Sequence, residues 1–225
     1  MTPYTLPKAL LFDLDGTLVD TAPDLAEATN RLREHHGMER LPYPVIRAQV
    51  SNGGSALVTL ALDLASDHPQ HAGARQYLLD RYAEVVADNS RVYPGLADLI
   101  ARWEAETRGW GIVTNKPRAY AEPLIEALSL RPGVLVCADD LAVRKPEPEP
   151  LWFAARRLDV KPEECWYVGD HRRDMEAAER AGMTAIAVRY GYIPAEEPLG
   201  DWPAQRWFDT SESLADELLA LLASR

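Results

Sequence analysis

Leu11-Phe12-Asp13-Leu14-Asp15-Gly16-Thr17-Leu18 is an apolar stretch that ends in two carboxylates separated by one residue and then turns at a glycine. Side chains alternate between faces along an extended chain, so the spacing predicts Asp13 and Asp15 on one face at a strand's C-terminal end. Two anions placed that way repel each other and call for a cation or a shared proton. Gly16 lets the backbone leave the strand sharply, and such a turn can aim N–H groups at an anionic oxygen. A surface Asp pair at a strand end carries the same letters, so the meaning of the stretch depends on its neighbours.

Outward from it, short apolar runs end in polar residues and are followed by helical spacing. The predicted strands are Ala9 to Asp13, Trp110 to Thr114, Val134 to Cys137, Cys165 to Val168 and Thr184 to Val188. Helices are expected over Pro117 to Leu128, Pro148 to Leu158 and Arg173 to Ala181, and the spacing of Leu214, Leu218, Leu221 and Leu222 predicts a last one that covers the sheet. This alternation predicts an α/β protein, a Rossmann-like and mostly parallel sheet with helices on both faces.

The first two strands are separated by about 95 residues, far more than a crossover needs. The interval has helical rather than alternating spacing: Ala22, Leu25, Thr29 and Leu32 step by three and four, as does much of Gln70 to Val86. Pro42, Pro44 and Gly53-Gly54 punctuate it, and Tyr93-Pro94-Gly95 marks a return. The expected organisation is a core of residues 1–20 and 92–225 with a small α-helical cap domain over 21–91.

Composition narrows the classes of function. Of the 225 residues, 47% are hydrophobic and 26% charged, ordinary values that exclude disordered and collagen-like chains. A net charge of −11 opposes nucleic acid and anionic membranes as partners, although a few focused cations and N–H groups can still bind a small anion. The two cysteines, Cys137 and Cys165, fit no ligand pattern and read as reduced core residues. With no secretory or spanning stretch, the expected location is cytoplasmic.

Three further segments can carry chemistry. Val113-Thr114-Asn115-Lys116 ends a strand in a hydroxyl and an amide that can donate to an anionic oxygen, and a strand end capping the next helix would read the same way. In Arg144-Lys145-Pro146-Glu147-Pro148-Glu149-Pro150 the prolines stiffen the loop and hold Lys145 in a set place, or simply make a solvated loop. Gly169-Asp170-His171-Arg172-Arg173-Asp174 places one carboxylate beyond a strand and another four residues on; the pair suits a hard cation, and Asp174 also suits an N-cap. All four segments fall at C-terminal ends of predicted parallel strands, where open α/β sheets bind ligands.

In this order the segments resemble the motifs of the haloacid dehalogenase superfamily: Asp13-Leu-Asp15-Gly-Thr17, then Thr114-Asn115, then Lys145, then Gly169-Asp170 with Asp174. The resemblance implies a phosphomonoester hydrolase in which Asp13 attacks phosphorus to form an aspartyl phosphate and Asp15 serves as acid and base. It implies Mg²⁺ held by Asp13, the backbone oxygen of Asp15 and Asp170, with Asp174 behind them. Thr114 and Lys145 would hold the phosphoryl oxygens, with Thr17 and Asn115 also expected at the substrate. Asp15 argues for attack on phosphorus, because dehalogenases of the superfamily characteristically lack it.

Ser51, Asn52 and Gly53 lie between two predicted cap helices and, with Arg47, are the expected selectors of a small phosphorylated metabolite; an ordinary interhelical turn is the plainer reading of the loop. The chain most resembles the phosphoglycolate phosphatase-like branch. Val113 to Pro117 and Val188-Arg-Tyr-Gly-Tyr-Ile193 look like the bacterial phosphatases of N-acetylmuramic acid 6-phosphate, so that ester and 2-phosphoglycolate are both candidate substrates. Tyr190 and Tyr192 either belong to that likeness or just pack beside the last strand. A phosphotransferase such as a sugar phosphomutase shares the four motifs, and a non-catalytic binding protein is the remaining alternative. The expected assembly is a monomer or a homodimer.

Overall fold

A computed structural model describes residues 6–194 and 196–224. At its centre is β1 (Ala9–Phe12), whose four residues are all buried. A parallel strand covered on both faces reads as a continuous apolar run, and β1 splits accordingly. Leu10 and Phe12 join one core cluster while Ala9 and Leu11 join another.

After β1 the chain makes β2 (Val19–Asp20), α1 (Ala22–His35), α2 (Tyr43–Arg47), α3 (Gly53–Leu62), α4 (His71–Val85) and β3 (Arg91–Val92). Then come α5 (Leu96–Ala105), β4 (Gly109–Val113), α6 (Arg118–Ala127), β5 (Val134–Val136), α7 (Glu149–Arg157), β6 (Cys165–Gly169), α8 (Arg172–Ala181), β7 (Thr184–Val188), β8 (Arg206–Phe208) and α9 (Ser211–Ala223). The six long-range strands form one parallel sheet in the order β5-β4-β1-β6-β7-β8. Residues of α5, α6 and α9 pack on one face of the sheet and those of α7 and α8 on the other. The expected strands and helices are present with ends moved by a residue or so. Strand β8 had no signal of its own: it is three residues long and is held by pairing with β7.

The chain adds β4 and β5 on one side of β1 and β6 to β8 on the other. A crevice at the carboxyl ends of the strands follows from that reversal.

Between β2 and β3 the four helices bury their own apolar cluster, including Leu25, Leu32, Ile46, Leu57, Val58, Leu78 and Tyr82. The two connections to the sheet pair as a short antiparallel ribbon, Val19 with Val92 and Asp20 with Arg91, which two-residue strands do not announce in sequence. Asp24 locks this junction from α1. Its buried carboxylate accepts from Asn89 N at 2.9 Å, Asn89 Nδ2 at 3.1 Å, Ser90 N at 2.9 Å and Ser90 Oγ at 2.6 Å. Both cysteines are free and buried. No helix among the described residues is long and apolar enough to cross a membrane.

Candidate active site

Strand β1 ends at Phe12, and Asp13 and Asp15 follow it, the Asp13 N–H still bonded to Val168 O at 2.8 Å. They acquire different partners. Asp13 accepts the Leu14 N–H at 2.8 Å and lies 3.0 Å from Lys145 Nζ. Asp15 Oδ1 accepts from Thr21 Oγ1 at 2.6 Å and Lys116 Nζ at 2.9 Å, with Lys116 Nζ 3.3 Å from Oδ2. Gly16 has φ of +81°, and a Cβ there would collide with Asp170 and Tyr192, so the turn demands glycine on both counts.

Lys145 is the hub. It is 2% exposed, and its ammonium lies 3.0 Å from Asp13, 2.7 Å from Asp174 Oδ1 and 2.6 Å from the Tyr167 hydroxyl. Tyr167 in turn donates to the Val113 carbonyl at 2.8 Å, tying the lysine to β4 and β6. The Asn115 amide donates to the Lys145 carbonyl at 2.9 Å and so holds the loop that presents it. Thr114 lies at the end of β4, its backbone N–H bonded to Val136 O at 2.9 Å and its hydroxyl accepting from Lys116 N at 3.2 Å.

Asp170 and Asp174 flank the start of α8. The N-cap is His171, whose ring accepts from Arg173 N, while Asp174 sits three positions in and its Oδ2 accepts the His171 N–H at 3.0 Å. Asp174 therefore closes a capping box and faces Lys145 at once. Asp170 is held by Thr17 Oγ1 at 3.2 Å, Ser51 Oγ at 3.3 Å and Tyr192 N at 2.8 Å.

Oxygens of Asp13, Asp170 and Asp174 all lie within 4.8 Å of one another. Burial pushes the Asp170 carboxyl up, helped by the charges of Asp13 and Asp174, to about 7. Asp174 is also raised, chiefly by burial. Burial acts the same way on Asp13, but Lys145 outweighs it and holds that carboxyl below its ordinary value. Lys145 pairs with two of these three buried acids and leaves Asp170 without an ion pair among the described residues. An all-oxygen set short of positive charge fits a hard divalent cation such as Mg²⁺.

In front of Asp13 opens a cavity of about 580 Å³. Thr114, Asn115, Lys116, Lys145 and Arg173 line its sheet end, and Ser51, Asn52, Gly53, Arg75, Leu79 and Tyr82 its helical end. Two expected substrate contacts are placed elsewhere. Thr17 is fully buried behind Asp170 and does not line the cavity. Arg47 donates to the Tyr190 carbonyl at 2.9 Å with its guanidinium 4.9 Å from the Tyr192 ring, so it ties the helices to the sheet. Arg47, the last residue of α2, reaches the loop after β7 and does not line the cavity.

Several contributors lacked a usable signal. Tyr167 reads as a core residue, and Arg75 as one polar position in a helix. Lys116 follows Thr114 and Asn115 in sequence, but only the fold shows it facing Asp15. Tyr190 and Tyr192 do more than pack. The Tyr190 hydroxyl donates to Thr17 O at 2.8 Å, and the Tyr192 hydroxyl donates to Asp20 Oδ1 at 2.7 Å and accepts from Thr21 N at 2.6 Å and Ala22 N at 2.9 Å.

Known proteins resemble this chain in sequence and fold. Residues 7–182 match the family model of the haloacid dehalogenase-like hydrolases, and the chain belongs to that family. It is 42% identical to an N-acetylmuramic acid 6-phosphate phosphatase of Pseudomonas aeruginosa, over 94% of each chain. Identity to a phosphoglycolate phosphatase of Chromobacterium violaceum is 40%, over 84% of this chain and 87% of the other. Among solved structures, a predicted phosphoglycolate phosphatase from Haemophilus somnus superposes with a TM-score of 0.81 at 24% identity, over 96% of this chain and 99% of that one. CbbY from Rhodobacter sphaeroides in complex with phosphate gives 0.73 at 27%, over 92% and 96%.

Proposed function

We propose that this protein is a Mg²⁺-dependent phosphatase of a small phosphorylated metabolite, working through an aspartyl phosphate on Asp13. The observation that carries the reading is the Lys145 ammonium held between Asp13 and Asp174 at the floor of a cavity. Asp13 is kept ionised by that lysine, as a carboxylate nucleophile must be.

An Asp13 oxygen bonds to phosphorus as the bond to the departing alcohol breaks, and Asp15 gives that alcohol its proton. Water then attacks the aspartyl phosphate, returns a proton to Asp15 and releases orthophosphate with Asp13 restored. Lys145, Thr114 and Asn115 hold the phosphoryl oxygens, and Asp174 keeps Lys145 in place. Asp13, the Asp15 backbone oxygen and Asp170 are the residues to hold Mg²⁺, which would offset the charge of the transferring group.

Residues 21–91 act as the cap domain on a core of 1–20 and 92–225, presenting Ser51, Asn52 and Gly53 to the substrate and excluding water. Arg75 and Arg144, which line the cavity and make no ion pair among the described residues, replace Arg47 as the cations for a second anionic group. A volume of about 580 Å³ with Leu25, Leu57 and Leu79 in its wall suits a sugar-sized ester such as N-acetylmuramic acid 6-phosphate better than the two-carbon 2-phosphoglycolate.

Phosphate release from both esters and from hexose phosphates, with and without chelator, tests the reading beside Asp13→Asn. Activity that survives the substitution or ignores chelator contradicts it. Isomerisation of a sugar phosphate without phosphate release would make the protein a phosphomutase instead.

A further inference from the structure

Lys116 is 9% exposed, yet it lines the cavity and carries a charge that the four motifs leave without a task. Its ammonium is already engaged on two sides. Asp15 lies on one, at 2.9 Å and 3.3 Å, and the ring of Tyr82, a residue of α4 in the helical insert, lies on the other, 4.6 Å from ammonium to centroid. A lysine so occupied is poorly placed to take a substrate anion, whereas Arg75 and Arg144 in the same cavity have no ionic partner among the described residues.

The two oxygens of Asp15 are treated unequally. Oδ1 accepts from both Thr21 Oγ1, at 2.6 Å, and Lys116 Nζ, at 2.9 Å, while only the longer 3.3 Å contact reaches Oδ2. We propose that Lys116 is a positioning residue for Asp15: clamped by Tyr82, it fixes Oδ1 and leaves Oδ2 as the oxygen that hands its proton to the leaving group. The inference rests on the reading of Asp15 as the proton donor. It makes Tyr82 a second point, beside Thr21, at which the insert touches the proton-transfer machinery, because removing the ring frees the ammonium to follow other partners.

Leaving-group acidity reads this out. The probes are aryl phosphates without a carboxylate, p-nitrophenyl phosphate and phenyl phosphate, assayed in the intact Mg²⁺-loaded protein, with kcat/KM reporting the first phosphoryl transfer. A phenolate needs a proton more than a nitrophenolate does, so loss of a well-placed donor slows the phenyl ester more. Asp15→Asn and Lys116→Met are each expected to raise the ratio of p-nitrophenyl to phenyl kcat/KM by about tenfold or more. Tyr82→Leu should move it the same way by less, and Lys116→Arg should restore most of it.

A Lys116→Met protein that loses both esters by one factor, or that raises only the KM of carboxylate-bearing esters, overturns the positioning role. Where Lys116→Met does not fold, Tyr82→Leu decides, and an unchanged ratio there overturns the proposal. An unchanged ratio in Asp15→Asn instead overturns the reading of Asp15 itself, which separates the two failures.

Discussion

The backbone N–H of Tyr192 donates to Asp170 Oδ2 at 2.8 Å while the hydroxyl of the same tyrosine accepts from Thr21 N and Ala22 N at the start of α1. A single residue in the loop that follows β7 thereby joins a carboxylate of the acidic cluster to the first helix of the insert. Tyr192→Phe leaves two buried N–H donors without that acceptor, and is expected to destabilise the protein by roughly 1–3 kcal/mol. Urea unfolding measures it, and an unchanged midpoint contradicts the assignment.

Asp24 pins the opposite side of the same junction. Asp24→Ala strips the acceptor from Asn89 and Ser90 together, and an expected loss of about 3 kcal/mol follows from buried donors left unsatisfied. Hydrogen exchange at the Ser90 amide should accelerate in the variant. Unaltered protection there would show that the ribbon of β2 and β3 holds without Asp24.

Addition of Mg²⁺ should raise the melting temperature, because Asp13, Asp170 and Asp174 are buried together with one lysine. At one hundred times the dissociation constant the gain is about 2.7 kcal/mol, or roughly 5–10 °C for a chain of this size. Asp170→Asn should remove most of that shift. Gly191→Ala should weaken it too, since a Cβ at Gly191 would intrude on the Asp170 side chain. A full shift in both variants would place the cation elsewhere.

Burial pushes the thiols of Cys137 and Cys165 up to about 12. Since the thiolate is the reactive form, neither should react with a thiol reagent at pH 8 within the hour in the native protein. Both should react once the chain is unfolded in guanidinium chloride. Rapid native labelling of either would contradict the packing of β5 or β6.

Much of the fold was legible because parallel strands buried on two faces must be apolar throughout: Ala9 to Phe12 and Ala185 to Val188 could hardly read otherwise. The helical character of the insert was equally plain from its spacing. The ribbon of Val19-Asp20 with Arg91-Val92 was not, because two-residue strands have no period and exist only by pairing.

For the site, the sequence by itself determined which residue types stand at the strand ends, because the acids, Thr114 and Lys145 carry their chemistry in short local motifs. Only the tertiary structure decided their partners: Lys145 beside Asp13 and Asp174, Lys116 beside Asp15, and Arg47 on Tyr190 and Tyr192 instead of in the cavity. Those choices depend on where side chains from distant segments meet, Asp15 with Lys116 across 101 positions and Arg47 with Tyr190 across 143. Local spacing has no term for such meetings, since they are settled by the packing of the insert and the loops against one sheet end.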